Sequence, residues 1–129
     1  LPERPAEWGD KKIMLYHISG NGLMEHKEKM LDKIEKTMEI FEEQAEKIQV
    51  VWLQDTQMKQ RLKPRIPGIY MRYERMLSKW QEKPWVTIYA AEDEEKAVLL
   101  ADAFYGDAGK SAQMMKQVSK PVMLQNVDV

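Results

Sequence analysis

Residues 107–111 carry the strongest chemical signature in this sequence. The segment reads Asp-Ala-Gly-Lys-Ser and stands between a predicted strand and a predicted helix. A lysine, a hydroxyl and the free amides of a helix start are groups that bind phosphate. A complete P-loop would need glycine where Phe104 stands, so the sequence argues against P-loop nucleotide hydrolysis. Two interpretations remain: Lys110 and Ser111 contact a phosphate, or Lys110 is a solvated side chain beside an N-capping serine.

A second glycine-containing loop, residues 19–22, follows the first predicted strand. The run 20–25 begins like a dinucleotide-binding fingerprint, but Glu25 stands where a third small residue is needed for helix–strand packing. A plain strand-to-helix turn is therefore the simpler interpretation. Both loops nevertheless combine glycine with a helix start, and together they predict a ligand-binding set for phosphate or nucleotide. The predicted residues are Ser19, Gly20, Asn21, Gly22, Asp107, Gly109, Lys110 and Ser111.

The two histidines do not form a metal site. His17 lies on the first predicted strand and His26 on a helix, and neither has an acid or a second histidine at ligand spacing. We interpret His17 as a buried, hydrogen-bonded strand residue. The absence of cysteine excludes a thiolate metal site and a cysteine nucleophile. The sequence thus predicts no metal and no cofactor, and it leaves the catalytic residues unknown.

These loops are positioned by an alternation of strands and helices. The predicted strands are 13–18, 48–53, 85–91, 103–105 and 121–127. The predicted helices are a long one from residue 23 to about 47, then 69–80, 92–101 and 111–118. The long helix carries an apolar stripe made of Met30, Ile34, Met38 and Phe41. The alternation predicts a single Rossmann-like α/β domain of three layers, with a five-stranded parallel sheet in the order 3-2-1-4-5.

This strand order selects one crevice. Strands 1 and 4 become neighbours, the chain reverses direction between them, and ligands of open α/β sheets bind at the carboxyl ends beside such a reversal. The loops 19–22 and 106–110 lie there. The helix that begins near residue 92 is a poor anion site, because four consecutive acids, residues 92–95, already place carboxylates at its positive end.

Length and charge limit the remaining possibilities. The 129 residues correspond to one domain with residues 1–11 as a lead-in, and the initial Leu1 predicts a piece of a larger protein or a processed chain. A formal net charge of -1 provides no field for nucleic acid or an anionic membrane. No apolar run approaches the ~20 residues of a membrane span, and the N-terminus lacks signal-peptide features. We expect a cytoplasmic protein with no transmembrane segment and no nucleic-acid partner.

Three segments together resemble a group of bacterial proteins: residues 51–52, 101–107 and 120–127. They are similar to the C-terminal Rossmann-like domain of CDP-glycerol glycerophosphotransferase-like and glycosyltransferase-like proteins, over nearly the whole chain. The resemblance implies a domain that binds the nucleotide diphosphate of an activated donor. It also implies an N-terminal acceptor-binding domain outside this sequence, and a role in cell-envelope polysaccharide synthesis.

The chain departs from that family at two motifs. The family's Trp-Arg-Pro-His-Pro is replaced by residues 52–56, Trp-Leu-Gln-Asp-Thr, without the arginine or the histidine. The family's Gly-Asp-Gly-Ser-Ser is replaced by residues 106–110, Gly-Asp-Ala-Gly-Lys, followed by Ser111. Two hypotheses follow: the donor-binding half of a transferase with degraded motifs, or a non-catalytic binding or assembly module on the same fold. In both, the isolated chain is expected to be inactive. A receiver-like phosphoacceptor domain is disfavoured, since no paired acids follow the first strand.

Overall fold

Five short runs rich in β-branched and aromatic residues form one parallel sheet, as strand propensity favours. The computed structural model describes all residues from Leu1 to Val129. The strands are β1 (Lys12–His17), β2 (Ile48–Leu53), β3 (Val86–Tyr89), β4 (Ala103–Gly106) and β5 (Val122–Leu124). Their order is β3-β2-β1-β4-β5, with all four pairings parallel. With helices on both faces, this is the predicted Rossmann-like α/β fold, and the predicted strand order is confirmed.

Six α-helices cover the two faces of the sheet. They are α1 (Gly20–His26), α2 (Glu28–Glu43), α3 (Met58–Leu62), α4 (Pro67–Gln81), α5 (Glu94–Leu100) and α6 (Lys110–Gln117), with short 3-10 turns at Ala6–Trp8 and Ala91–Asp93. Residues of α1 to α4 form one hydrophobic core with the sheet, and residues of α5 and α6 form a second core on the opposite face. No helix combines the length and the apolar character that crossing a bilayer requires.

The apolar stripe on α2 is buried as predicted. Met30, Ile34 and Met38 are completely inaccessible and Phe41 is 9% exposed. Burial of such side chains contributes ~1.5–3 kcal/mol each. Phe41 of this stripe packs edge-on against Tyr16, which holds α2 against β1.

The helices differ from the sequence prediction in two places. The predicted long helix is interrupted at Lys27, whose φ of 48° ends α1 before α2 begins. Leu23 and Met24 stand seven residues before Met30 and Leu31, so the apolar pattern is in phase on both sides of the break and does not reveal it. The segment between β2 and α4 also contains the short helix α3, where the two prolines Pro64 and Pro67 favour an irregular connection.

Candidate functional site

The carboxyl ends of β1, β2 and β4 open into a cavity of about 360 Å³. Its walls are His17, Ser19, Asn21, Gln54, Asp55, Thr56, Arg61, Ala91, Glu94, Ala108, Gly109, Lys110 and Ser111. This is the crevice beside the sheet's reversal point that the strand order predicted. Of the predicted ligand-binding residues, Ser19, Asn21, Gly109, Lys110 and Ser111 line the cavity, whereas Gly20, Gly22 and Asp107 do not.

Asp107 holds the two loops of the crevice together. One of its carboxylate oxygens accepts hydrogen bonds from Ser19 N at 2.8 Å and Ser19 Oγ at 3.1 Å. The other accepts a hydrogen bond from Gln125 Nε2 at 2.7 Å. A carboxylate that accepts several hydrogen bonds makes a strong, charge-assisted clamp. Asp107 thus joins the start of α1 to the segment that follows β5.

Most amides at the start of α1 are already paired, and only the Asn21 amide has no acceptor in the protein. Gly22 N donates to Ser19 Oγ at 2.9 Å, and Gly20 N donates to the Asp55 carboxylate at 2.5 Å. The amide of Ser19 is taken by Asp107. Because two of these acceptors are carboxylates, an anionic ligand would be repelled here. The expectation that both loops offer unpaired amides is therefore met at α1 by Asn21 alone.

The start of α6 has three consecutive free amides, compared with one at α1. Gly109 is its N-cap, no side chain caps the helix, and the amides of Lys110, Ser111 and Ala112 have no acceptor in the protein. Gly109, Lys110 and Ser111 line the cavity. Unpaired amides at the positive end of a helix attract an anion. This helix start is therefore the part of the crevice best suited to a phosphate.

The Glu94 carboxylate binds the side chains of the first two residues of α6. Its carboxylate accepts a hydrogen bond from Ser111 Oγ at 2.6 Å and forms an ion pair with Lys110 Nζ at 3.3 Å. Ser111 is buried and is not the N-cap, so the interpretation of Ser111 as an N-capping serine is wrong. The Lys110 side chain is 79% exposed. A ligand anion at α6 would compete with the Glu94 carboxylate for both groups.

His17 is buried and hydrogen-bonded, as predicted from the sequence. It is 8% exposed, and its Nδ1 lies 2.9 Å from the carbonyl oxygen of Leu53. Since a carbonyl only accepts, Nδ1 carries the proton, and Nε2 of the neutral ring is an acceptor. Nε2 has no partner in the protein, and His17 lines the cavity. The cavity therefore contains an acceptor on a buried side chain, suited to a hydroxyl of a ligand.

Arg61, which the sequence analysis did not identify, brings a guanidinium to the crevice from α3. Its Nη2 donates to Asn21 Oδ1 at 2.7 Å, and no carboxylate forms an ion pair with it. The sequence feature that could have indicated α3 is the apolar pair Met58 and Leu62, whose four-residue spacing is typical of one helical turn. Although this chain lacks the arginine of the family motif, its crevice contains an arginine.

A buried tyrosine positions Gln54 at the cavity wall. Tyr73 OH donates to Gln54 Oε1 at 3.0 Å. Burial, with smaller contributions from Tyr70 and Asp55, raises the pKa of Tyr73 far above its usual value. The phenol therefore stays protonated and remains a donor. Gln54 is held in one orientation by this bond.

The crevice is lined by two cationic side chains, Arg61 and Lys110, and by two carboxylates, Asp55 and Glu94. Its free groups are the α6 amides, the Arg61 guanidinium and the His17 acceptor, which together suit a small polar anion that also carries a hydroxyl. No group of three or more histidine and carboxylate side chains is arranged to hold a metal ion.

Comparisons of this chain with protein-family models, with curated proteins and with solved structures found no match.

Proposed function

We propose that this chain is the nucleotide-diphosphate-binding domain of a glycosyl- or glycerophosphotransferase-like protein, with the diphosphate bound at the start of α6. The observation that carries the proposal is the uncapped first turn of α6, whose free amides face the crevice at the reversal point of a parallel sheet. The resemblance of residues 101–107 and 120–127 to such transferases supports a nucleotide as the ligand class.

Each free group has a distinct role in this proposal. The amides of Lys110 and Ser111 bind one phosphate, and Arg61 binds the other from the facing wall. His17 Nε2 accepts a hydrogen bond from a hydroxyl of the ligand. In a transfer reaction, the amides and the guanidinium would stabilise the charge that develops on the departing diphosphate. The acceptor would bind on another domain.

Replacing Arg61 with alanine should weaken CDP binding about tenfold, the scale of one charge-assisted hydrogen bond. Arg61 is the one crevice cation without a carboxylate partner, so its charge is available to the ligand. Isothermal titration of the wild-type and variant chains with CDP measures the effect. The matched control is Arg65→Ala, an exposed arginine outside the cavity, which should leave the affinity unchanged. Equal losses in both variants would indicate a non-specific electrostatic effect.

Replacing Glu94 with glutamine should tighten CDP binding about threefold to tenfold, because a competing negative charge beside the α6 amides disappears. Glutamine keeps an oxygen that accepts from Ser111 Oγ, so the packing of α5 on α6 is retained. Glu95→Gln, one residue further along the same helix and exposed, is the control. Unchanged or weaker binding in Glu94→Gln would place the ligand away from α6.

A second function, a non-catalytic binding or assembly module, is supported by a different part of the surface. Ile40 and Met123 are 61% and 67% exposed, and both line one apolar groove. Exposed apolar surface of this kind is typical of interaction sites. The CDP titration separates the two functions, since the wild-type chain binds CDP only under the first proposal.

A further inference from the structure

On the face that packs against α1 to α4, the sheet is only partly covered beyond β1, where Phe41 of α2 contacts Tyr105 of β4. Trp52, Tyr16, Tyr105 and Met123 are neighbours in register on β2, β1, β4 and β5, so they share a face. Trp52 and Tyr16 are fully buried, Tyr105 is half-buried and Met123 is 67% exposed. Burial is lost along this row because α1 to α4 pack with β1, β2 and β3, while α6 contacts β4 and β5 on the opposite face.

On this face, β4 and β5 form one side of a groove of about 620 Å³, and α2 forms the other. We call it the β4–β5 groove. Ile40 and Phe41 line it from α2, and Tyr105, Val122 and Met123 line it from the strands. Ile40 is 61% exposed although it belongs to the helix that carries the main apolar stripe. The groove therefore presents apolar side chains on both sides to whatever binds in it.

The dimensions of the strip match a helix. Two parallel strands about 4.8 Å apart give a strip ~10 Å wide, which is close to the diameter of an α-helix with side chains. A helix in this position would lie beside α2 and complete the third layer of the fold. A single acyl chain would fill only part of this width.

The charges at the groove are all of one sign. Lys33 and Lys36 of α2 are its only charged lining side chains, and they lie about one helical turn apart. Lys33 Nζ already donates to the backbone oxygen of Val129 at 3.2 Å, whereas Lys36 makes no ion pair within the chain. A second copy of this chain, related by a two-fold axis through the groove, would bring these lysines towards the same lysines of its partner. An acidic partner fits them instead.

We propose that the β4–β5 groove docks an acidic amphipathic helix of a partner protein. The apolar stripe of that helix packs on Tyr105, Val122 and Met123. Its acidic flank pairs with Lys36, which has no partner in the chain, and lies beside Lys33. This is helix-in-groove recognition, in which apolar anchors one turn apart supply affinity and flanking charges set orientation. The inference is independent of nucleotide binding, because the groove shares no residue with the crevice.

Two synthetic 15-residue helical peptides test the proposal. Both carry leucines at i, i+3, i+4 and i+7, and their flanking residues are all glutamate in one and all lysine in the other. By fluorescence anisotropy, the glutamate peptide should bind saturably and at least about fivefold more tightly than the lysine peptide. In NMR titrations, amide shifts should be confined to α2, β4 and β5.

Surface variants locate the binding. Ile40→Asp and Lys36→Glu change exposed side chains, and each should weaken the glutamate peptide at least about fivefold. Met71→Asp on α4, a 51% exposed apolar residue outside the groove, is the matched control and should bind like the wild type. Circular dichroism confirms that each variant is folded before its affinity is compared.

Four results would overturn the proposal. They are equal or absent binding of the two peptides, shifts centred away from the groove, a wild-type dimer in sedimentation that Ile40→Asp dissociates, and tighter saturation of the same amides by dodecanoate. The third would assign the groove to a second copy of the chain. The fourth would assign it to an acyl ligand.

Discussion

Replacing Gly106 with alanine should destabilise the domain by about 2–6 kcal/mol, a large part of the ~5–15 kcal/mol that stabilises a typical domain. Gly106 ends β4 with a φ of 147°, a conformation that L side chains rarely adopt. A Cβ at this position would lie well inside van der Waals contact with the backbone carbonyl oxygen of His17 on β1. That contact is with backbone inside the sheet, so it cannot be relieved by a side-chain rotation.

Two other glycines separate the causes of this loss. Gly109 has a similar φ of 152°, but a methyl group added there would have no atom within 4 Å, so Gly109→Ala reports backbone strain alone. Gly68 lies in the first turn of α4 with open space around it, so Gly68→Ala should be neutral or slightly stabilising. Urea unfolding followed by tryptophan fluorescence gives the three free energies. If Gly106→Ala costs no more than Gly109→Ala, the close approach of β4 to His17 has no energetic weight.

The sheet could be predicted because its determinants are local. Apolar runs separated by helical periodicity define βαβ units, and the right-handedness of their crossovers reduces the possible strand orders to a few. The break at Lys27 could not be predicted, for the opposite reason. Lysine has no local preference for a positive φ, and the apolar residues before and after Lys27 stay in phase with one helical stripe.

The candidate site was only partly predictable, because its bonds join residues that are far apart in sequence. Ser19 and Asp107 are separated by 88 residues, and the register of β1 on β4 brings them together. The same register and packing decide that the amides of Ser19 and Gly20 bond to carboxylates, while the first three α6 amides stay free. From residue types alone, both loops are predicted to combine glycine with a helix start that binds an anion. The contribution of Arg61 depends on α3, an element that the sequence pattern left undetected.

Replacing Asp107 with alanine should cost about 3–5 kcal/mol of folding stability, since hydrogen bonds to a charged group contribute ~1.5–3 kcal/mol each and a buried donor left unpaired adds to the loss. The side chain accepts two hydrogen bonds from Ser19 and one from Gln125. Without it, the start of α1 loses its attachment to the segment after β5. Urea unfolding measures the free energy, and hydrogen exchange at the Ser19 amide reports the local opening.

Asp107→Asn distinguishes a structural clamp from a ligand contact. The asparagine oxygen can still accept from Ser19, and its amide group can donate to Gln125 Oε1, which has no partner in the structure and becomes available when the glutamine amide rotates. We therefore expect Asp107→Asn to cost only ~1 kcal/mol and to leave CDP affinity within about twofold of the wild type. A stable Asp107→Asn variant whose CDP affinity differs about tenfold from the wild type would contradict the clamp. It would return Asp107 to the ligand-binding role that the sequence predicted.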